Sequence, residues 1–127
     1  MDKVAYWLDL SNYDIETAEA MMATRRLLYV GFMCHQTIEK VMKAYWSKVK
    51  PEDVPYTHNL AKLAQSSGLI SKMSEEQIEQ ITELMPLNIE ARYPHYKQEL
   101  QAKLTPEYCQ DLLIKTKNLK LWIEKKL

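Results

Sequence analysis

Two stretches of the chain gather residue types that can do chemistry. The first is Arg92-Tyr93-Pro94-His95-Tyr96-Lys97. A guanidinium grips phosphate through two parallel hydrogen bonds and an imidazole titrates near neutral pH, so Arg92, His95 and Tyr96 are the candidate catalytic residues for chemistry on a phosphate ester. The competing reading is a helix end, with Arg92 and Lys97 complementing carbonyls, Pro94 terminating the helix and the tyrosines packing at its margin. The second stretch is helical in pattern. Phe32, His35, Gln36, Glu39, Lys43 and Trp46 fall within about 100° of arc at the helical period, on the side opposite the apolar face. Ion pairs such as Glu39/Lys43, and the Gln36/Lys40 pair at the same spacing, contribute only about 0.2–0.5 kcal/mol each and explain the charges but not the two aromatic rings. Burial of Phe32, His35 and Trp46 would explain the rings, either at a dimer contact or against another helix of the same chain. A nucleotide or RNA pocket using Gln36, Glu39, Lys40, Lys43 and Arg92 is the sharper alternative.

Other chemistries find less support. His35, His58, His95, Cys34 and Cys109 have no metal-ligand spacing, so no metal or cofactor is expected and the histidines read as structural. Cys34 lies on an apolar face, unlike a nucleophilic cysteine. With Gly31 and Gly68 the only glycines, a glycine-rich phosphate loop is excluded.

A chain of 127 residues, 46% hydrophobic and 27% charged, is long enough for one cored domain, and residues 1–127 read as a single unit. Lysine plus arginine and aspartate plus glutamate both total 17, so no overall positive field draws in nucleic acid and any RNA contact must be local. The start lacks a signal-peptide pattern, no run approaches the roughly 18 apolar residues of a membrane span, and the two cysteines read as reduced thiols. A cytoplasmic protein without membrane contact is the expectation.

Periodicity supplies the elements. Val4, Leu8, Ile15, Ala18 and Met22 predict a first helix, interrupted only by Ser11, with Arg25-Arg26 at its end. Val30, Met33, Cys34, Thr37, Ile38, Val41, Ala44 and Tyr45 predict a second over residues 29–48, stopped by Pro51 and Pro55. Thr57 is the expected cap of a short helix through Ser66, closed by Gly68. Ser74-Glu75-Glu76-Gln77 reads as a capping box opening a third long helix, which Pro86 kinks or splits before Tyr93-Pro94 ends it. Thr105-Pro106 opens the last, lysine-ended helix. No alternating strand pattern competes. The expected fold is all-α, an up-and-down antiparallel four-helix bundle with an additional short helix.

The order Phe32-x-x-His35-Gln36-x-x-Glu39-Lys40-x-x-Lys43-Ala44, then His58-x-Leu60, then Arg92-Tyr93-Pro94 resembles the small prokaryotic HEPN proteins over nearly the whole chain. The resemblance implies a helical bundle, usually dimeric, in a family that includes metal-independent ribonucleases, partners of small nucleotidyltransferases and toxins of toxin–antitoxin pairs. It also points to Gln36, Glu39, Lys40, Lys43 and Arg92 as the functional positions. Ribonuclease members separate arginine from histidine by four to six residues. Here only Tyr93 and Pro94 separate Arg92 from His95, and no later histidine exists. Two expectations follow: a dimeric module acting with a nucleotidyltransferase partner, or a metal-independent endoribonuclease with a composite Arg92/His95 site at a dimer interface.

Overall fold

A computed structural model describes residues 2–89 and 94–127. Its helices are α1 (Lys3–Ala23), α2 (Leu27–Val49), α3 (Leu60–Ser66), α4 (Glu75–Leu84), α5 (Pro94–Lys103) and α6 (Pro106–Glu124), with single 3-10 turns at Leu69–Lys72 and Met85–Leu87. No strand occurs among the described residues, so the fold is all-α as expected. Nor is any helix among them long and apolar enough to cross a membrane.

Local signals account for most boundaries. The Asp2 carboxylate accepts from the Ala5 amide to open α1. Ser74 and Gln77 form the reciprocal capping box that starts α4, and Thr105 caps α6 ahead of Pro106 in its first turn. Gly68, at φ 81°, supplies the left-handed residue after α3. At the end of α1 the Arg26 amide reaches the Met21 carbonyl at 2.8 Å and the Arg25 amide reaches Met22 at 3.2 Å. This is a Schellman turn with Arg25 in the left-handed position at φ 61°, where glycine is usual.

Three expectations need correction. Asn59, not Thr57, caps α3: the Asn59 side chain accepts from the Lys62 amide, while the Thr57 hydroxyl accepts from Asn59 itself. The third helix is shorter than expected and ends at Leu84: of the kink or split open at Pro86 the split occurs, the next turn taking 3-10 geometry. Pro94 opens α5 instead of ending a helix, since a proline without an amide hydrogen suits a first helical position as well as a stop. The long helices are therefore three, α1, α2 and α6, with α3, α4 and α5 shorter.

Helix α2 is the axis of the molecule, in contact with α1, α3, α4, α5 and α6. Its Val30, Cys34, Ile38 and Val41 are fully buried, joined by Ala18, Leu60, Leu69, Cys109 and Ile123 from the surrounding elements. Leu87 and Leu104 pack over Gly31 at ordinary contact range: a Cβ there would stand 3.4 Å from one Leu104 methyl and 3.5 Å from a Leu87 methyl. A helix enclosed this way must bury polar groups too, and those buried groups form the site.

Candidate functional site

Glu39 sits in the middle of α2 and is 1% exposed. A carboxylate so far from water must be paired or it loses its charge. It has two cation-type partners. Lys43, one turn on, donates to Oε2 at 3.0 Å, and the Nδ1–H of His58 donates to Oε1 at 2.9 Å across 19 residues of sequence. Lys43 is itself 5% exposed, with Nζ 5.1 Å from the centroid of the Trp7 ring of α1. His35 is also enclosed, and its Nδ1–H donates to Gln36 Oε1 at 3.0 Å. Burial holds the His35 imidazole below its usual range, and the Gln36 bond and the nearby Glu39 charge offset this only in part. His58 opens furthest to solvent, with half its side chain exposed and Tyr56 edge-on at 6.0 Å, and Gln36 is half-buried.

A second polar contact lies between α1 and α2. Lys40 donates to Asp14 Oδ2 at 3.0 Å, both side chains being mostly buried, and the Ser11 hydroxyl donates to the Thr37 carbonyl at 2.8 Å. Ser11, the single polar interruption of the first apolar stripe, thus ties the hairpin together. Burial pushes the Asp14 carboxyl above its ordinary value despite Lys40. The connector after α2 is fixed by Trp46, whose Nε1–H donates to the Glu52 carbonyl at 3.1 Å, and by the Lys3–Asp53 ion pair at 2.5 Å.

The structure therefore joins Glu39, Lys43, His35 and Gln36 and sets Lys40 beside them on Asp14. Phe32, His35 and Trp46 are buried by the chain's own elements at 8%, 1% and 8% exposure, so their rings leave water without a second copy. Of the alternatives raised by the sequence, intrachain burial accounts for them. His95 is exposed and Tyr96 half-buried in the first turn of α5, with Tyr96 packed against the core. Arg92 lies outside the described residues. His58 is the residue that sequence reasoning passes over as merely structural. Its signal is the His58-x-Leu60 spacing, but its partner is visible only in three dimensions.

Among the described residues, no three His, Cys, Asp or Glu side chains converge as a metal site. Burial raises the Cys34 thiol to about 12 and the Cys109 thiol to about 11, which leaves both as inert core thiols. What the cluster can do is limited by its burial. Glu39 and Lys43 neutralise each other inside the chain, and His58, Gln36 and Lys40 are the members that a ligand can reach.

The family of HEPN domains matches the chain over residues 4–126. No curated protein sequence matches it. Among solved structures, the crystal structure of TT1696 from Thermus thermophilus is similar, with a TM-score of 0.83 over 100% of both chains at 17% sequence identity, a likeness of fold. With the match spanning nearly its whole length, the chain belongs to the HEPN domain family.

Proposed function

We propose that this chain is a HEPN module that acts as a homodimer together with a small nucleotidyltransferase, in nucleotide- or RNA-linked biology of the toxin–antitoxin kind, in the cytoplasm. The observation that carries the reading is the fate of the α2 charges. Glu39 and Lys43 are consumed by each other, by His58 and by Trp7. They serve as a scaffold and leave no free acid–base pair on α2 for a self-contained RNA-cleaving centre. The two-residue gap between Arg92 and His95 supports the same conclusion. Gln36, held by His35, and Lys40, held by Asp14, are half-buried, and with Arg92 they are the residues assigned to nucleotide or RNA contact beside Glu39 and Lys43.

The experiment is RNA cleavage by the purified protein in EDTA beside Arg92→Ala and His95→Ala proteins, with co-purification against each small nucleotidyltransferase of the same genome. The expected result is no cleavage that depends on Arg92 or His95, and a stable complex with one nucleotidyltransferase. Cleavage abolished in both variants overturns the reading. It would favour the second one, a metal-independent endoribonuclease whose composite site joins Arg92, His95 and Tyr96 of two copies. That alternative draws on the exposed position of His95 beside Tyr96 at the start of α5.

A further inference from the structure

The acids of α4, Glu75, Glu76, Glu79 and Glu83, have no part in the α2 site. The helix dipole accounts for Glu75 and Glu76 in the first turn, but not for Glu79 and Glu83 farther along. Steps of three and four residues set Glu76, Glu79 and Glu83 on one side of the helix, with successive Cβ atoms about 5–6 Å apart. Together with Gln80 and Lys115 they line a cleft of about 380 Å³ between α4 and α6. The Tyr108 hydroxyl donates to Glu83 Oε2 at 2.6 Å and ties the two helices together there.

The cleft is negative. Among the described residues no ion pair reaches Glu76, Glu79 or Glu83. Lys115, on the α6 wall, is bound instead to Asp111 of its own helix at 3.0 Å. Its ammonium is held above the ordinary lysine range by that bond first, then by the Asp111, Glu83 and Glu76 charges. The field in the cleft therefore favours a cation.

A second observation lies at the inner end. A narrow recess, sharing Gln80, Glu83 and Lys115 with the cleft, is walled by Leu84, Leu112 and Leu119 and lined by Thr116 of α6. Thr116 is 2% exposed, and its hydroxyl has no hydrogen-bond partner among the described residues. The Cys34 thiol near it on α2 is a weak hydrogen-bonding group and leaves it unsatisfied. A buried orphan of this kind needs an explanation, and a donor entering from the cleft supplies one.

Shape selects among cations. No three His, Cys, Asp or Glu side chains of the described residues converge on a point, so the cleft does not match a compact metal ion. The acids form a ladder, whose complement is a chain of cations with apolar links. Ammonium groups joined by three or four methylenes stand about 5–6 Å apart at carbon–carbon bonds of about 1.5 Å, the same interval as the acids. The methylenes suit the leucine walls.

We propose that the α4/α6 cleft binds a linear aliphatic polyamine, its ammonium groups on Glu76, Glu79 and Glu83 and the innermost one donating to Thr116.

Calorimetric titration of the whole chain at about 0.15 M salt tests it, with spermidine, putrescine and magnesium chloride as probes. Spermidine, with three ammonium groups, is expected to bind one per chain and at least about tenfold more tightly than the two-charge putrescine, with no saturable magnesium binding. Absent spermidine binding, or magnesium binding of equal strength, overturns the site. Glu76→Gln with Glu79→Gln, both exposed, is expected to keep the wild-type circular dichroism and raise the spermidine Kd at least about tenfold. Asp9→Asn with Glu16→Gln removes the same charge from exposed positions of α1 and is expected to leave the Kd unchanged. Equal losses in the two double variants would assign the binding to net charge and overturn the site. Thr116→Val is expected to leave the melting temperature no lower, because the hydroxyl it removes is unpaired, and to weaken spermidine at least about threefold. Unchanged affinity in that variant also overturns the proposal, since a diffuse acidic surface would then account for the binding.

Discussion

Glu39 and His58 meet at 2.9 Å although one is almost wholly buried and the other half exposed. The carboxylate thereby anchors the start of α3 to the middle of α2, while Lys43 compensates its charge from the same helix. Removing one member of a buried pair strands the other, at a cost of about 3–5 kcal/mol, whereas replacing both with apolar side chains is often near neutral. Glu39→Leu should therefore destabilise by about that amount, and Glu39→Leu with Lys43→Leu should recover much of the loss. Urea denaturation of the two single variants and the double variant checks this; simple additivity would show that the pair is not coupled.

Arg25 occupies the left-handed position of the Schellman turn at φ 61°. A Cβ in that region costs about 1 kcal/mol that glycine does not incur. Arg25→Gly should raise stability by a few tenths of a kcal/mol up to about 1 kcal/mol, the upper end being reduced by glycine's extra freedom in the unfolded chain. A thermal melt that falls instead would mean that the arginine side chain contributes more than the turn geometry costs.

The parts of the fold that can be read from sequence are those fixed within one turn of helix. Ser74 with Gln77, Thr105 with Pro106, and Gly68 each act on neighbours three or four residues away, and each appears as read. Pro94 misleads because the same residue type serves at a helix start and beyond a helix end. The α2 polar stripe is recognisable, but periodicity assumes that a polar face meets water. In a helix enclosed on nearly every side, that face instead holds the Glu39–Lys43 ion pair, whose further contacts, the Trp7 ring and His58, come from distant segments. The need to bury Phe32 and Trp46 is legible; the elements that bury them are not.

Asp14 is held above its ordinary ionisation range chiefly by burial, against the pull of Lys40. The folded chain then binds this proton more tightly than the unfolded chain does. The group's contribution favours the fold below the unfolded value of 3.8 and is lost as pH rises through the raised folded value. At neutral pH the ionised carboxylate costs stability, so Asp14→Asn should melt higher than the wild type at pH 7, with the difference shrinking as pH falls toward 3.8. A lower melting temperature for Asp14→Asn at pH 7 would show that the bond to Lys40 outweighs the burial.

His35 has the opposite sense. Burial is the main cause of its lowered value, partly offset by the Gln36 bond, the Glu39 charge and the His58 backbone, while the His58 imidazole lowers it further. The unfolded chain, with an ordinary value of 6.5, takes up this proton at a pH where the folded chain still excludes it. The contribution to stability is complete above about 6.5 and is lost as pH falls toward and through the lowered folded value. Wild-type stability should therefore decline on acidification below about 6.5. His35→Gln, which keeps a hydrogen-bonding side chain but cannot take up that proton, should be less stable at pH 8 because the Gln36 contact is remade imperfectly, yet should decline less steeply between pH 6.5 and 5. Urea midpoints across that range decide the matter: parallel slopes in the two proteins would assign the acid sensitivity to another group.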